Sequence, residues 1–263
     1  MTNNKCLNCE KELIGAYCFG CGQKADTHRI SFKNFVLHDL MHGTFHIERG
    51  MLFTAKQALI CPGKAALDYI SGKRKRYYNV FYLVLLTIGV MLFTRHVDDM
   101  FTKSDTEIVH EKVYLNEASK KVDETISEQS RNLLLLFLPF AALNSFLLFR
   151  RKKLNLSEHF IISGMILLGI LLISTFGNFL FYLNMITRFS GTFLSWIVAS
   201  LIIFYVGYGY FNAFATNYSR LGVAWRIMSF FVLICLEAAI LFFILFGFVT
   251  NWKFGSIRVT PFG

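Results

Sequence analysis

Residues 160–183 read FIISGMILLGILLISTFGNFLFYL and residues 227–250 read IMSFFVLICLEAAILFFILFGFVT, two runs of 24 residues without a Lys or Arg. At about 1.5 Å of rise per residue such a run makes a helix of about 36 Å, more than the roughly 30 Å hydrocarbon core of a bilayer. Three further runs, 77–94, 132–149 and 192–211, also lack basic residues and are long enough to cross. A helix with one face in water must interrupt its apolar run every three or four residues, so a soluble bundle has no need of five such stretches. The whole chain agrees: 54% of its 263 residues are hydrophobic against 17% charged, with 29 Phe and a mean hydropathy of +0.47. This composition points away from an ordinary soluble protein. The runs predict an all-α membrane protein with about five transmembrane helices in a body at 77–263, with the chain before residue 77 as a head and linker outside the bilayer.

Charge sets the expected orientation. Lys and Arg number 27 against 17 Asp and Glu, a net +10, and residues 1–80 hold 12 of the basic and 6 of the acidic groups. Lys73, Arg74, Lys75 and Arg76 stand just before the first run, and Arg150, Arg151, Lys152 and Lys153 just after the second. Short loops rich in Lys and Arg stay in the cytoplasm, so both clusters are expected there, against anionic lipid headgroups. The 95–131 loop, with nine acidic and six basic residues, suits the extracytoplasmic side. Arg220 and Arg226 bring the 212–226 loop back to the cytoplasm, leaving NWKFGSIRVTPFG outside. The opening MTNNKCLNCE has no apolar h-region, so the head is expected to stay where it is made. Tyr77, Tyr78, Trp196, Trp225 and Trp252 lie near the expected interfaces as anchors. Pro139 is expected to kink the second span, and Gly207 and Gly209 to mark a close helix contact.

The head, residues 1–28, carries CLNCEKELIGAYCFGCGQK, a C-x2-C-x8-C-x2-C pattern formed by Cys6, Cys9, Cys18 and Cys21. Two CxxC turns each present two thiolates, and an eight-residue link suffices to close a tetrahedral Zn2+ site. Two disulfides or a redox CxxC are the rivals. A redox pair needs a βαβ context too long for this segment, and a cytoplasmic head keeps its thiols reduced. The expectation is a structural zinc ribbon, in which four thiolates leave no position for a catalytic water. Cys61 and Cys235 are isolated and read as small buried hydrophobes.

Residues 29–76 are expected to form amphipathic helices at the cytoplasmic face. Ser31 is a candidate cap for a helix carrying Phe32, Phe35, Val36 and Leu40, and Pro62 suits the first turn of another carrying Leu67 and Ile70. In this segment His38, His42 and His46 recur every fourth residue, so a pair of them could hold a metal or move a proton; Gly43 interrupts the helix and no HExxH glutamate is present. Glu237 falls near the middle of the fifth run. An ionisable group at that depth is costly, no basic residue lies inside any run, and the expectation is a protonated carboxyl hydrogen-bonded between helices, with Thr87, Ser200 and Asn144 as neighbours by depth.

Taken together, the cysteine head, the FHIERG segment, TAKQALICPGKAALDYISGKRKRYYNVF and the multi-spanning body resemble the bacterial membrane proteins grouped as domain of unknown function 3667. The likeness is specific over residues 1–90, at Cys6, Cys9, Cys18, Cys21, Thr54, Pro62, Gly63, Tyr69, Gly72, Lys73, Arg74 and Tyr77, and compositional beyond. It implies an architecture in the bacterial inner membrane and no assigned activity.

The expected function is therefore that of a non-enzymatic scaffold or adaptor, whose zinc ribbon and basic interfacial helices engage a protein partner or a second copy. The alternative is a small transporter or channel subunit using Glu237, and a third is an intramembrane enzyme built on His38, His42 and His46. No catalytic constellation is visible. The KRKR run before a span is explained by topology and lipid contact, so no nucleic acid is expected.

Overall fold

The structure is a computed structural model that describes residues 5–27, 30, 50–105, 136–187, 191–250 and 252. Among the described residues the regular secondary structure is helical, with no strand, and residues 5–27 form turns with two isolated bridges. In chain order the helices are α1 (Gly50–Ile60), α2 (Pro62–Ile70), α3 (Val80–Asp105), α4 (Leu136–Leu148), α5 (Leu156–Thr187), α6 (Gly191–Phe214) and α7 (Arg220–Thr250), with a 3-10 turn at Arg150–Lys152.

Three of these helices are long and apolar enough to cross a membrane: Leu156–Asn178, Phe193–Phe214 and Arg220–Phe248. The other two expected crossings correspond to shorter apolar stretches, Val80–Thr94 and Leu136–Leu148. Residues 132–135 lie outside the described residues, and Pro139 falls in the first described turn of α4. The helix expected as the first crossing starts later than its hydropathy suggests, because residues 71–79 form turns and Gly72 sits at φ 103°. Helix α3 then continues past residue 94 to Asp105, so the polar segment expected as the 95–131 loop begins as helix.

Helix α5 is the hub, with α1, α2, α3 and α6 packed around it. It begins one turn before its uninterrupted apolar run because Asn155 and Glu158 cap it reciprocally. Asn155 Oδ1 accepts from the Glu158 N–H at 2.9 Å, and Glu158 Oε2 accepts from the Asn155 N–H at 2.8 Å. Asn155 Nδ2 also donates to the Ile30 carbonyl at 2.8 Å, tying the N-terminal segment to this cap. Where α2 crosses α6, a Cβ at Gly63 would overlap the Gly209 carbonyl and the Ala213 amide. Only glycine lets the two backbones approach so closely. The close contact expected at Gly209 is thus made, with Gly63 as its counterpart.

Helices α1 and α2 form a hairpin joined at Cys61 and wedged against α5 and α6. Tyr205 Oη donates to the Ala58 carbonyl and Tyr208 Oη to the Ile60 carbonyl, so two carbonyls at the end of α1 are satisfied from α6. Thr54 Oγ1 donates to the Gly50 carbonyl at 2.7 Å and accepts from the Tyr78 N–H at 2.8 Å. The face formed by Pro62, Gly63, Ala65 and Ala66 is buried against the bundle. Tyr77, expected as an interfacial anchor, is instead buried between Phe53 and Tyr69, with ring centroids at 5.3 and 6.3 Å. Trp196, Trp225 and Trp252 are exposed.

Candidate metal centre and its surroundings

The head is built from two equivalent turns twelve residues apart. The Cys6 N–H donates to the Lys11 carbonyl and the Cys18 N–H to the Gln23 carbonyl, each at 2.8 Å. The Glu10 N–H closes back on Cys6 and the Gly22 N–H on Cys18, again at 2.8 Å. Bridges Lys5–Glu12 and Tyr17–Lys24 bracket the two turns. The equivalence reaches the backbone, since Glu10 (φ 64°) and Gly22 (φ 71°) occupy the same left-handed position. Glycine suits that conformation and glutamate is strained in it.

These turns bring four thiols together. Cys6 and Cys21 sulfurs lie 3.6 Å apart, Cys9 and Cys18 sulfurs 3.5 Å, and all four fall within 4.8 Å of one another. The six cysteines are free, which removes the disulfide alternative. A Zn–S bond of about 2.3 Å in a tetrahedron sets sulfurs about 3.8 Å apart, so the donor set fits a metal ion of that size. Burial opposes ionisation of Cys18, but the Gly20 and Cys21 amides and the neighbouring thiols overcome it and lower its pKa to about 7. The Lys11 amide pulls the Cys9 pKa down, yet burial and the other three cysteines raise it to about 12. Four thiolates so close together need a cation to balance their charge. Among the described residues no other group of three or more His, Cys, Asp or Glu is placed to hold a metal. His38, His42 and His46 lie outside the described residues.

The head is not a free appendage. Gln23, 6% exposed, donates from Nε2 to the Gly72 carbonyl at 2.8 Å and accepts the Lys75 N–H on Oε1 at 3.2 Å. Leu7 sits where a Cβ on Gly72 would go. Gln23, two positions past Cys21, thus clamps the KRKR turn, a contact that cysteine spacing does not reveal.

Both basic clusters serve the fold as well as the surface. Lys73 pairs with Asp68 at 2.8 Å, Arg74 lies over the Tyr69 ring, and Arg151 and Arg226 both lie over Tyr218, at 4.9 and 4.2 Å. Lys152 donates to the Ala213 carbonyl at 3.2 Å, and burial pushes its pKa down. Lys75, Arg76, Arg150, Arg151 and Lys153 are exposed. Arg74, Lys152 and Lys153 meet at one cleft with Leu7, Thr27 and Glu158, although the two clusters are about 75 positions apart in sequence.

Glu237 meets one of its expected neighbours. Asn144 Nδ2 donates to Glu237 Oε2 at 2.9 Å, joining α4 to α7. Thr87 instead donates to the carbonyl of Leu83 one turn back, and Ser200 is exposed. A polar layer that the sequence did not suggest lies in the core. Ser145 Oγ and His159 Nδ1 are 2.7 Å apart, and Ser163 Oγ and Tyr210 Oη 3.1 Å, all four residues being buried. Their only signal in the sequence is the N-x-x-E cap that draws His159 inside α5.

Residues 48–92, which span α1, α2 and the first half of α3, match the family described as "Protein of unknown function (DUF3667)". No curated protein and no solved structure matches the chain. The matched stretch holds Thr54, Gly63, Tyr69, Gly72 and Tyr77, the residues that lock the hairpin to the bundle and to the KRKR turn, and it places this segment with that family.

Proposed function

We propose that the protein is a multi-pass membrane scaffold or adaptor whose four-cysteine head holds a structural zinc ion and presents a docking surface to a cytoplasmic protein. The observation that carries this reading is the exposure of Ile14 (87%), Tyr17 (64%) and Phe19 (71%) on a head of about 20 residues whose other contacts tie it to the body. Large apolar and aromatic side chains held rigidly in water form an effective protein-binding surface. A closed four-thiolate site adds rigidity and no catalytic position, which favours binding over turnover.

On this reading the membrane is the inner membrane of a bacterium, the chain crosses five times with its N-terminus in the cytoplasm, and the exposed Lys75, Arg76, Arg150, Arg151 and Lys153 rest against anionic headgroups. The test is cross-linking in native membranes with the full chain and with an Ile14→Ser, Tyr17→Ser, Phe19→Ser variant. Loss of specific adducts in the variant, with metal content unchanged, supports the adaptor role; identical adducts overturn it.

A further inference from the structure

Between α4 and α7 lies an open cavity of about 270 Å³. Its walls are apolar, with Phe137 and Phe140 from α4 and Ile234, Leu241 and Phe242 from α7, and Glu237 is the one ionisable residue among them. Oε2 of that carboxyl is held by Asn144, which is 2% exposed, while Oε1 has no hydrogen-bond partner among the described residues. Residues 132–149 and 227–250 contain no Lys or Arg. Arg226, the closest basic residue on α7, is eleven positions away and donates to the Leu148 and Gly222 carbonyls.

A glutamine would make the same bond to Asn144 and would join α4 to α7 without placing an ionisable group in hydrocarbon. The carboxyl is the costlier choice, and such a group normally marks a binding site or a path. Its missing complement is a positive charge, and three phenyl rings beside it add the favourable electrostatics of aromatic faces toward a cation. Apolar walls with one fixed polar anchor are the usual form of a small-molecule site.

We infer that the α4–α7 cavity binds a lipophilic cation, an ammonium or phosphonium carrying apolar substituents, through the Glu237 carboxylate and the rings of Phe137, Phe140 and Phe242. This site is separate from the metal head, and its existence does not depend on the adaptor reading.

The experiment uses the full chain in nanodiscs of neutral phosphatidylcholine, with labelled tetraphenylphosphonium as the probe. Saturable binding is expected. Glu237→Gln, nearly isosteric and able to keep the Asn144 bond, should weaken binding by at least about tenfold. Phe140→Ala should weaken it by about twofold to fivefold. Thermal unfolding of each variant within a few degrees of the parent shows that the fold is intact, and Glu237→Asp, which keeps the charge, should retain most of the binding. Equal affinity in the Glu237→Gln variant, or only non-saturable partitioning, overturns the proposal. So does efficient oxidative cross-linking of a Leu241→Cys variant in membranes, because the cavity would then be covered by a second copy of the chain.

Discussion

Helices α5 and α7 contain equally long apolar runs and differ in almost everything else. Two thirds of the α5 span is buried within the protein, against 11% of the α7 span. The difference goes with the placement of glycines rather than with hydrophobicity. In α5, Gly164 lies against the Phe81 ring, Gly169 admits the Tyr205 side chain to the point of contact, and Ser163 reaches Tyr210. In α7, the glycines are confined to the ends, at Gly222 and Gly247, and the middle carries bulky side chains such as Leu236, Ile240 and Phe243 that remain exposed. Lipid tails are as apolar as leucine, so a helix is drawn to other helices in a bilayer by close packing and polar contacts. Of the two helices, α5 is equipped for this and α7 is equipped for lipid.

The head, the α1–α2 hairpin and α5 form the closely packed side of the molecule, and the sharpest way to break it is at the metal. Chelation, or Cys18→Ser, should remove a binding energy of about 10 kcal/mol or more from a head too small for a core of its own. Metal content would fall to zero and residues 5–27 would become sensitive to limited proteolysis, while α5–α7 stay protected. A head that keeps its protection without metal would refute the assignment of the four cysteines.

Next in size is Gly63→Val, which drives a side chain into the Gly209–Ala213 backbone and should cost about 3 kcal/mol or more. The measurement is the yield of monodisperse protein in mild detergent and its thermal midpoint; a normal midpoint would mean that the α2–α6 crossing is looser than described. Gln23→Ala should cost about 1–3 kcal/mol by removing the clamp on Gly72 and Lys75. Hydrogen exchange at residues 72–75 should rise with metal content unchanged, which separates docking of the head from folding of the head.

Glu10→Gly works in the opposite direction. It relieves a left-handed glutamate and should tighten metal binding about twofold to fivefold in a chelator competition. The smallest effect belongs to the sparsely packed side: Leu236→Ala on the exposed face of α7 should shift stability by no more than about 0.5 kcal/mol. An effect as large as that of Gly63→Val would show that α7 is packed against something other than lipid.

Much of this organisation is legible in single stretches of sequence. The C-x2-C-x8-C-x2-C spacing identifies the four thiols because each turn is closed by its own backbone, over five residues. The apolar runs identify α5, α6 and α7 because hydrophobicity sums along a helix. Other features depend on contacts that a single stretch does not contain. Starting a span at its first uninterrupted apolar residue passes over the Asn155–Glu158 cap, which carries the helix one turn further back and buries His159. Tyr77 has the composition of an interfacial anchor, and its burial depends on Phe53 and Tyr69 arriving from α1 and α2.

Local stretches of sequence are enough to reveal the long apolar helices, the four clustered cysteines that could hold a metal and the ionisable group in the middle of the last apolar run, since each follows from residues near one another in the chain. Only the tertiary packing sets which long apolar helix is interior and which stays exposed. It also decided that Gln23 holds Gly72 across 49 positions and that Asn144 holds Glu237 across 93. Such pairings depend on how helices approach one another, and in a bilayer that is set by the shape of small and large side chains on two surfaces at once, which no local pattern records.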